Sequence, residues 1–111
     1  MRSISISKKE GQLKNILSII IEELDDKDIV LPTIVDVRLS NDTSHARIFV
    51  SFYKQKNRGL SKLIGATNYI KKQLAAYLDW RKIPNLVFEL DHLTDDGMRI
   101  DKILEDLKKE A

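Results

Sequence analysis

Residues 34–52, IVDVRLSNDTSHARIFVSF, decide how the whole chain is read. Val35, Val37 and Leu39 alternate with Asp36, Arg38 and Ser40. Ala46, Ile48, Val50 and Phe52 alternate with Arg47, Phe49, Ser51 and Tyr53. A period of two sends successive side chains to opposite faces of a strand, so each run has one apolar and one polar face. Asn41-Asp42 between the runs supplies turn chemistry, because these side chains bond their own backbone. Two alternating runs joined by a short polar turn predict an antiparallel hairpin.

Working outward, residues 8–24 read as an amphipathic helix. Leu13, Ile16, Leu17, Ile20 and Leu24 form one stripe, and Ser7 with Glu10 makes a capping box. Asp25, Asp26 and Asp28 suit a loop better than a helix C-terminus, where the macrodipole disfavours acids. On the other side of the hairpin, residues 54–59 form a polar, basic loop. Leu60, Leu63 and Ile64 then begin a helical pattern, which the poor helix formers of Gly65-Ala66-Thr67-Asn68 interrupt. Ile70, Leu74 and Leu78 resume it, with Tyr77 alongside. The expected result is two helices meeting at a kink. Pro84 makes Ile83 extended. Leu86, Phe88 and Leu90 alternate as a third strand. Ile100, Ile103, Leu104 and Leu107 mark a last helix, with Asp95, Asp96 and Asp101 near its positive end and Lys108 and Lys109 near its negative end.

The order helix, strand, strand, helix, helix, strand, helix predicts one α+β domain over residues 1–111. Its three-stranded sheet is covered by helices on one face. With 111 residues the chain is long enough for one self-sufficient core. It contains no cysteine, which excludes disulfides, thiolate nucleophiles and cysteine metal sites and fits a cytoplasmic protein. Residues 1–10 carry no secretory apolar region. The longest apolar stretch, residues 16–24, falls far short of the ~20 residues of a membrane span.

Catalytic chemistry has little to work with. His45 and His92 match no metal-ligand spacing. Gly11, Gly59, Gly65 and Gly97 are too scattered for a phosphate-cradling loop. Asp95, Asp96 and Asp101 lack the pattern of a calcium loop. The expectation is a protein without cofactor, metal, small-molecule substrate or catalysis, and a monomer.

Charge is the stronger signal. The net of +2 conceals blocks of −1 over residues 1–53, +7 over 54–82 and −4 over 83–111. Such segregation creates a local field, read either as the mark of a polyanion partner or as a solvated surface with chance clustering. Lys71 and Lys72 fall off the Ile70, Leu74, Leu78 stripe and should face solvent. Arg81 and Lys82 follow, and they either contact phosphates or complement the end of a helix. Lys54, Lys56 and Arg58 lie in the loop before the paired helices. Arg38 and Arg47 occupy the polar faces of the hairpin near Phe49 and Tyr53. Cations beside aromatics suit phosphate contact with base stacking. Phe49 and Tyr53 either serve that purpose or pack beneath the last helix. Trp80 is read as an anchor at the core or its edge.

The helix-strand-strand-helix-helix-strand order resembles the type II KH fold of RNA-binding domains. The GXXG loop by which ordinary KH domains clamp RNA is missing. Several segments together resemble the ribosome-binding factor A family, a KH-like family with a helix kink bearing Ala-x-Gly in place of that loop. They are 34–40 (IVDVRLS), 46–52 (ARIFVSF), Ala66-Thr67-Asn68, 81–88 (RKIPNLVF) and 96–100 (DGMRI). The chain departs from the family pattern at Asn68, which stands where the family has glycine. Asn is the commonest non-glycine residue in the left-handed region, so Asn68 is expected there unless Gly65 supplies the bend.

The resemblance implies a bacterial, cytoplasmic factor that binds the small (30S) ribosomal subunit or its precursor at 16S ribosomal RNA near the 5′-terminal helix. It would support late subunit maturation, 16S RNA processing and cold adaptation, and it would be absent from the translating ribosome. Two other readings stay open: a general KH-like module acting on messenger or transfer RNA, and a protein–protein adaptor using the helical surface. Travel with free small subunits separates the first, and insensitivity of binding to nuclease separates the second.

Overall fold

A computed structural model describes residues 4–91. The hairpin forms from β1 (Thr33–Leu39) and β2 (His45–Ser51), paired antiparallel. Their turn is held by Asp42, whose Oδ1 accepts from the Ser44 hydroxyl at 2.7 Å, the Ser40 hydroxyl at 2.8 Å and the Ser44 amide at 3.1 Å. Those donors, the Ser44 hydroxyl foremost, hold the Asp42 carboxyl down at about 2. β3 (Asn85–Leu90) adds on the far side of β2 in parallel register, with His45 opposite Asn85 and Val50 opposite Leu90. A parallel neighbour needs a crossover, which α2 (Lys56–Gly65) and α3 (Thr67–Tyr77) provide. Before the hairpin, α1 (Ile4–Glu22) packs on β1 and α3.

All three helices bury their apolar residues against one face of the sheet. Leu13, Leu17, Ile20, Leu63, Ile70 and Leu74 meet Val37, Leu39, Ala46, Ile48, Val50, Leu86 and Phe88 in a single cluster. Arg38, Arg47, Val87 and Glu89 alternate with those strand residues and lie on the other face. This is the α+β, KH-like arrangement the sequence led us to expect.

Four local readings are corrected. First, β1 does not alternate strictly. Ile34 opposes Val50 while Asp36 opposes Phe49, so Val35 is the extra residue of a bulge. The bulge lets both Ile34 and Val37 enter the core, and Val35 is only partly buried. Second, Ser7 lies within α1 and caps nothing. The Glu10 carboxylate instead accepts the Leu39 amide at 2.7 Å, tying the helix to the end of β1.

Third, α2 begins at Lys56, inside the stretch read as loop. Its buried Gly59 faces Phe52 so closely that a Cβ there would stand 2.8 Å from the ring. Fourth, the break between α2 and α3 falls on Ala66, at φ −96° and ψ 8°. Among the described residues the positive-φ positions are Leu31, Thr43 and Gln55, and no glycine is among them. Asn68 therefore lacks the left-handed geometry expected of it, and the bend does not fall on Gly65 either, but at the first residue of the Ala66-Thr67-Asn68 stretch. The Ala66 amide is shared between the Lys62 and Leu63 carbonyls, both at 3.0 Å, which tightens the last turn of α2. The Thr67 hydroxyl donates to the Ile64 carbonyl at 2.7 Å. The kink is thus made by Ala66 and Thr67. The last predicted helix, His92 and the 96–100 motif lie outside the described residues.

Candidate nucleic-acid interface

Because β2 and β3 run parallel, the crossover leaves the sheet at one end and returns at the other. Lys54, Lys56 and Arg58 follow the C-terminal end of β2. Arg81 and Lys82 precede β3, whose first residue is level with the start of β2. Six strand steps separate the two ends, about 20 Å at ~3.3 Å per residue. Arg38 and Arg47 sit on the face turned away from the helices. The nine cations singled out in the sequence therefore fall into three groups: one at the start of α2, one shared by α3 and the segment before β3, and one on the open face of the sheet.

The group before β3 is the most concentrated. The Lys71 ammonium donates to Asn85 Oδ1 at 2.8 Å, which fastens α3 to the start of β3 and brings Lys71 to the segment that carries Arg81 and Lys82. Lys72 is the next residue and is exposed, as are Arg81 and Lys82. Lys72, Arg81 and Lys82 make no ion pair among the described residues. α3 ends at Tyr77 with no basic residue in its last turn. Arg81 and Lys82 lie past that turn and make no hydrogen bond to its carbonyls among the described residues, so capping of that helix does not account for them. Trp80, also past the helix, is partly buried against the core with the Lys9 ammonium 5.3 Å from its ring centre. That is the edge-anchor role read from the sequence.

In the other two groups the arginines are engaged with carboxylates. Arg58 pairs with Asp28 at 3.5 Å, and Lys62, which the sequence reading passed over, lies 3.8 Å from Asp26 and 3.6 Å from Asp28. Lys54 rests 5.7 Å from the Tyr53 ring centre. On the open face Arg38 and Arg47 stand directly opposite each other, a pairing of like charges that would be unfavourable alone. Each has its own acid. Arg38 bonds Asp36 at 2.9 Å, and Arg47 makes a two-pronged contact with Glu89 at 2.7 and 2.9 Å. The Glu89 contact pushes the Arg47 guanidinium above its ordinary value, by hydrogen bond first and charge second. Arg47 also lies 5.2 Å from the centre of the half-buried Phe49 ring. A phosphate reaching these arginines competes with a carboxylate already in place. One reaching Lys72, Arg81 or Lys82 meets no carboxylate partner among the described residues.

Sequence reading also missed Tyr69 and Tyr77, two exposed rings on α3. The signal is in the sequence: both fall off the Ile70–Leu74–Leu78 stripe far enough to meet solvent, although Tyr69 drew no reading there and Tyr77 was only set alongside the stripe. Among the described residues no group of three or more metal-ligating side chains converges, and no helix is long and apolar enough to cross a membrane.

The comparisons with known proteins point one way. A family model described as ribosome-binding factor A matches residues 6–104. Ribosome-binding factor A of Mycoplasmopsis pulmonis is 43% identical over 111 residues, covering 99% of each chain. The crystal structure of ribosome-binding factor A from Thermus thermophilus superposes with a TM-score of 0.74 at 30% identity, over 77% of this chain and 93% of that one. A Thermus thermophilus ribosome binding factor A homology model, fitted into the cryo-EM map of a 30S complex, superposes with a TM-score of 0.69 at 30% identity, over 76% of this chain and 92% of that one.

Proposed function

Since the chain belongs to the ribosome-binding factor A family, we propose that it binds the small (30S) ribosomal subunit or its precursor at 16S ribosomal RNA. There it assists late subunit maturation and 16S RNA processing by binding alone, as a cytoplasmic monomer. The observation that carries this reading is the cluster before β3. Lys72, Arg81 and Lys82 are exposed cations without a carboxylate partner among the described residues, and Lys71 is fastened beside them. Such groups suit phosphates, which dominate the affinity of protein–RNA contacts and carry no sequence information. Lys54, Lys56 and Arg58 extend the footprint past the other end of the crossover. Arg38 and Arg47 contribute secondarily. The Thermus thermophilus relative fitted to a 30S complex supports the choice of partner.

Bound to an unfinished particle, the factor favours whichever RNA conformation it binds more tightly, by that difference in affinity. Fractionation of a lysate on a density gradient tests the proposal. The tagged chain should travel with free small subunits and be absent from translating ribosomes. Changing Lys71, Lys72, Arg81 and Lys82 together to Ala should strip it from those fractions while its melting curve stays cooperative. Undiminished co-sedimentation of that variant removes the cluster from the account.

A further inference from the structure

Tyr69, Gln73 and Tyr77 follow one another at i, i+4 and i+8 on α3, so they form one ridge along a flank of the helix. Tyr69 and Tyr77 are 54% and 48% exposed, while Ile70 and Leu74 are fully buried. Lys72, three residues after Tyr69, neighbours it on the helix surface and faces away from the core. α3 carries Lys71 and Lys72 and no acid. An aromatic ridge edged by cations and free of carboxylates complements a polyanion that also presents flat apolar faces. A protein partner is a poorer match, because lysine is depleted at protein–protein interfaces.

Given the RNA binding proposed above, we infer that this ridge is a stacking platform for unpaired bases of single-stranded RNA, with Lys72 taking the intervening phosphate. Spacing selects the strand state. Eight helical residues set the two rings about 12 Å apart along the axis, at ~1.5 Å per residue. Stacked bases in a duplex strand follow at about 3.4 Å and keep their faces covered, so a duplex offers neither the reach nor the surface. Splayed bases of a single strand offer both. Stacking tolerates any base, so the platform reads strandedness more than sequence.

The test uses the full chain with a fluorescently labelled unstructured RNA and a duplex of equal length, read by anisotropy at fixed salt. Tyr69→Ala and Tyr77→Ala should each weaken single-strand binding by about 5- to 150-fold and leave duplex binding unchanged. Phe at either position should restore affinity, because the ring face acts and not the hydroxyl. Leu, which keeps the apolar contact with the helix, should behave as Ala and guards against a folding effect. Wild-type affinity in Tyr69→Leu and Tyr77→Leu, or equal losses on single strand and duplex, overturns the platform. So does a variant that binds RNA normally but no longer travels with small subunits, since the ridge would then serve a protein. Failure of the unaltered chain to bind any RNA would instead strike at the proposed function itself.

Discussion

Gly59 and Gly65 belong to the same helix, yet the same substitution should move stability in opposite directions at the two. At an exposed helical position Gly→Ala is worth up to ~1 kcal/mol through backbone entropy. Gly65 has open space around it and no positive φ, so Ala fits. It sits at the last position of α2, where the gain should be about 0.5 kcal/mol. At Gly59 a Cβ would meet Cδ1 and Cε1 of Phe52 at 2.8 Å. Phe52 is itself buried and packed, so the ring cannot swing into solvent to make room. Overpacking of that kind costs about 1–3 kcal/mol, which exceeds the propensity gain. Urea melts should therefore place Gly59→Ala below the unaltered protein by about 1 kcal/mol or more and Gly65→Ala slightly above it. The reverse order would mean that Phe52 yields easily. A clear loss at Gly65 would return that residue to the kink.

Among the elements, the break at Ala66 depends on a hydroxyl. Where a helix stops, its final carbonyls need donors. Thr67 supplies one to Ile64 at 2.7 Å. Thr67→Val keeps the shape and deletes the donor, so it should lower stability by about 1 kcal/mol, with Thr67→Ser restoring most of it. Thermal melts of the pair decide the matter, and an unchanged Thr67→Val would show that the backbone N–H that Ile64 also accepts at this cap serves it well enough alone. The same break shows what was legible in the sequence. Poor helix formers at residues 65, 67 and 68 announced it, because propensity is a local property. Which residue breaks was set by the sharing of the Ala66 amide, and no propensity scale records that. The hairpin was legible for the same local reason, and the bulge at Val35 was not, since it depends on what Val50 and Phe49 require across the sheet. Ser7 and Glu10 fit a capping pattern, but Glu10 serves an amide 29 residues away in sequence. In the candidate site the cations could be listed from the sequence. Their sorting into paired and unpaired could not, because Glu89 reaches Arg47 only through the β2–β3 register.

Taken as a whole, the molecule distributes positive charge unevenly in availability as well as in position. Every phosphate neutralised on a single strand contributes about 0.7 to the slope of log affinity against log salt. Lys72, Arg81 and Lys82 face solvent without carboxylates among the described residues, so changing all three to Ala should reduce the slope by roughly 2. Arg38 and Arg47 begin from a different state. They lie on the opposite face of the sheet and are already held by Asp36 and Glu89. An exposed pair is itself worth only ~0–1 kcal/mol, so those acids do not forbid a phosphate, but they return part of what it gains. Changing both arginines to Ala should therefore alter the slope by less than one contact, although two formal charges are lost. Total charge and placed charge thus make different forecasts. If non-specific attraction governed binding, each lost cation would count nearly alike, and the triple and double variants would differ only as three to two. If the segment before β3 is the footprint, their slopes should differ by well over that ratio. Titrations of both variants against one unstructured RNA across a salt series measure it directly, and equal loss per charge would dissolve the distinction between the two faces of the sheet.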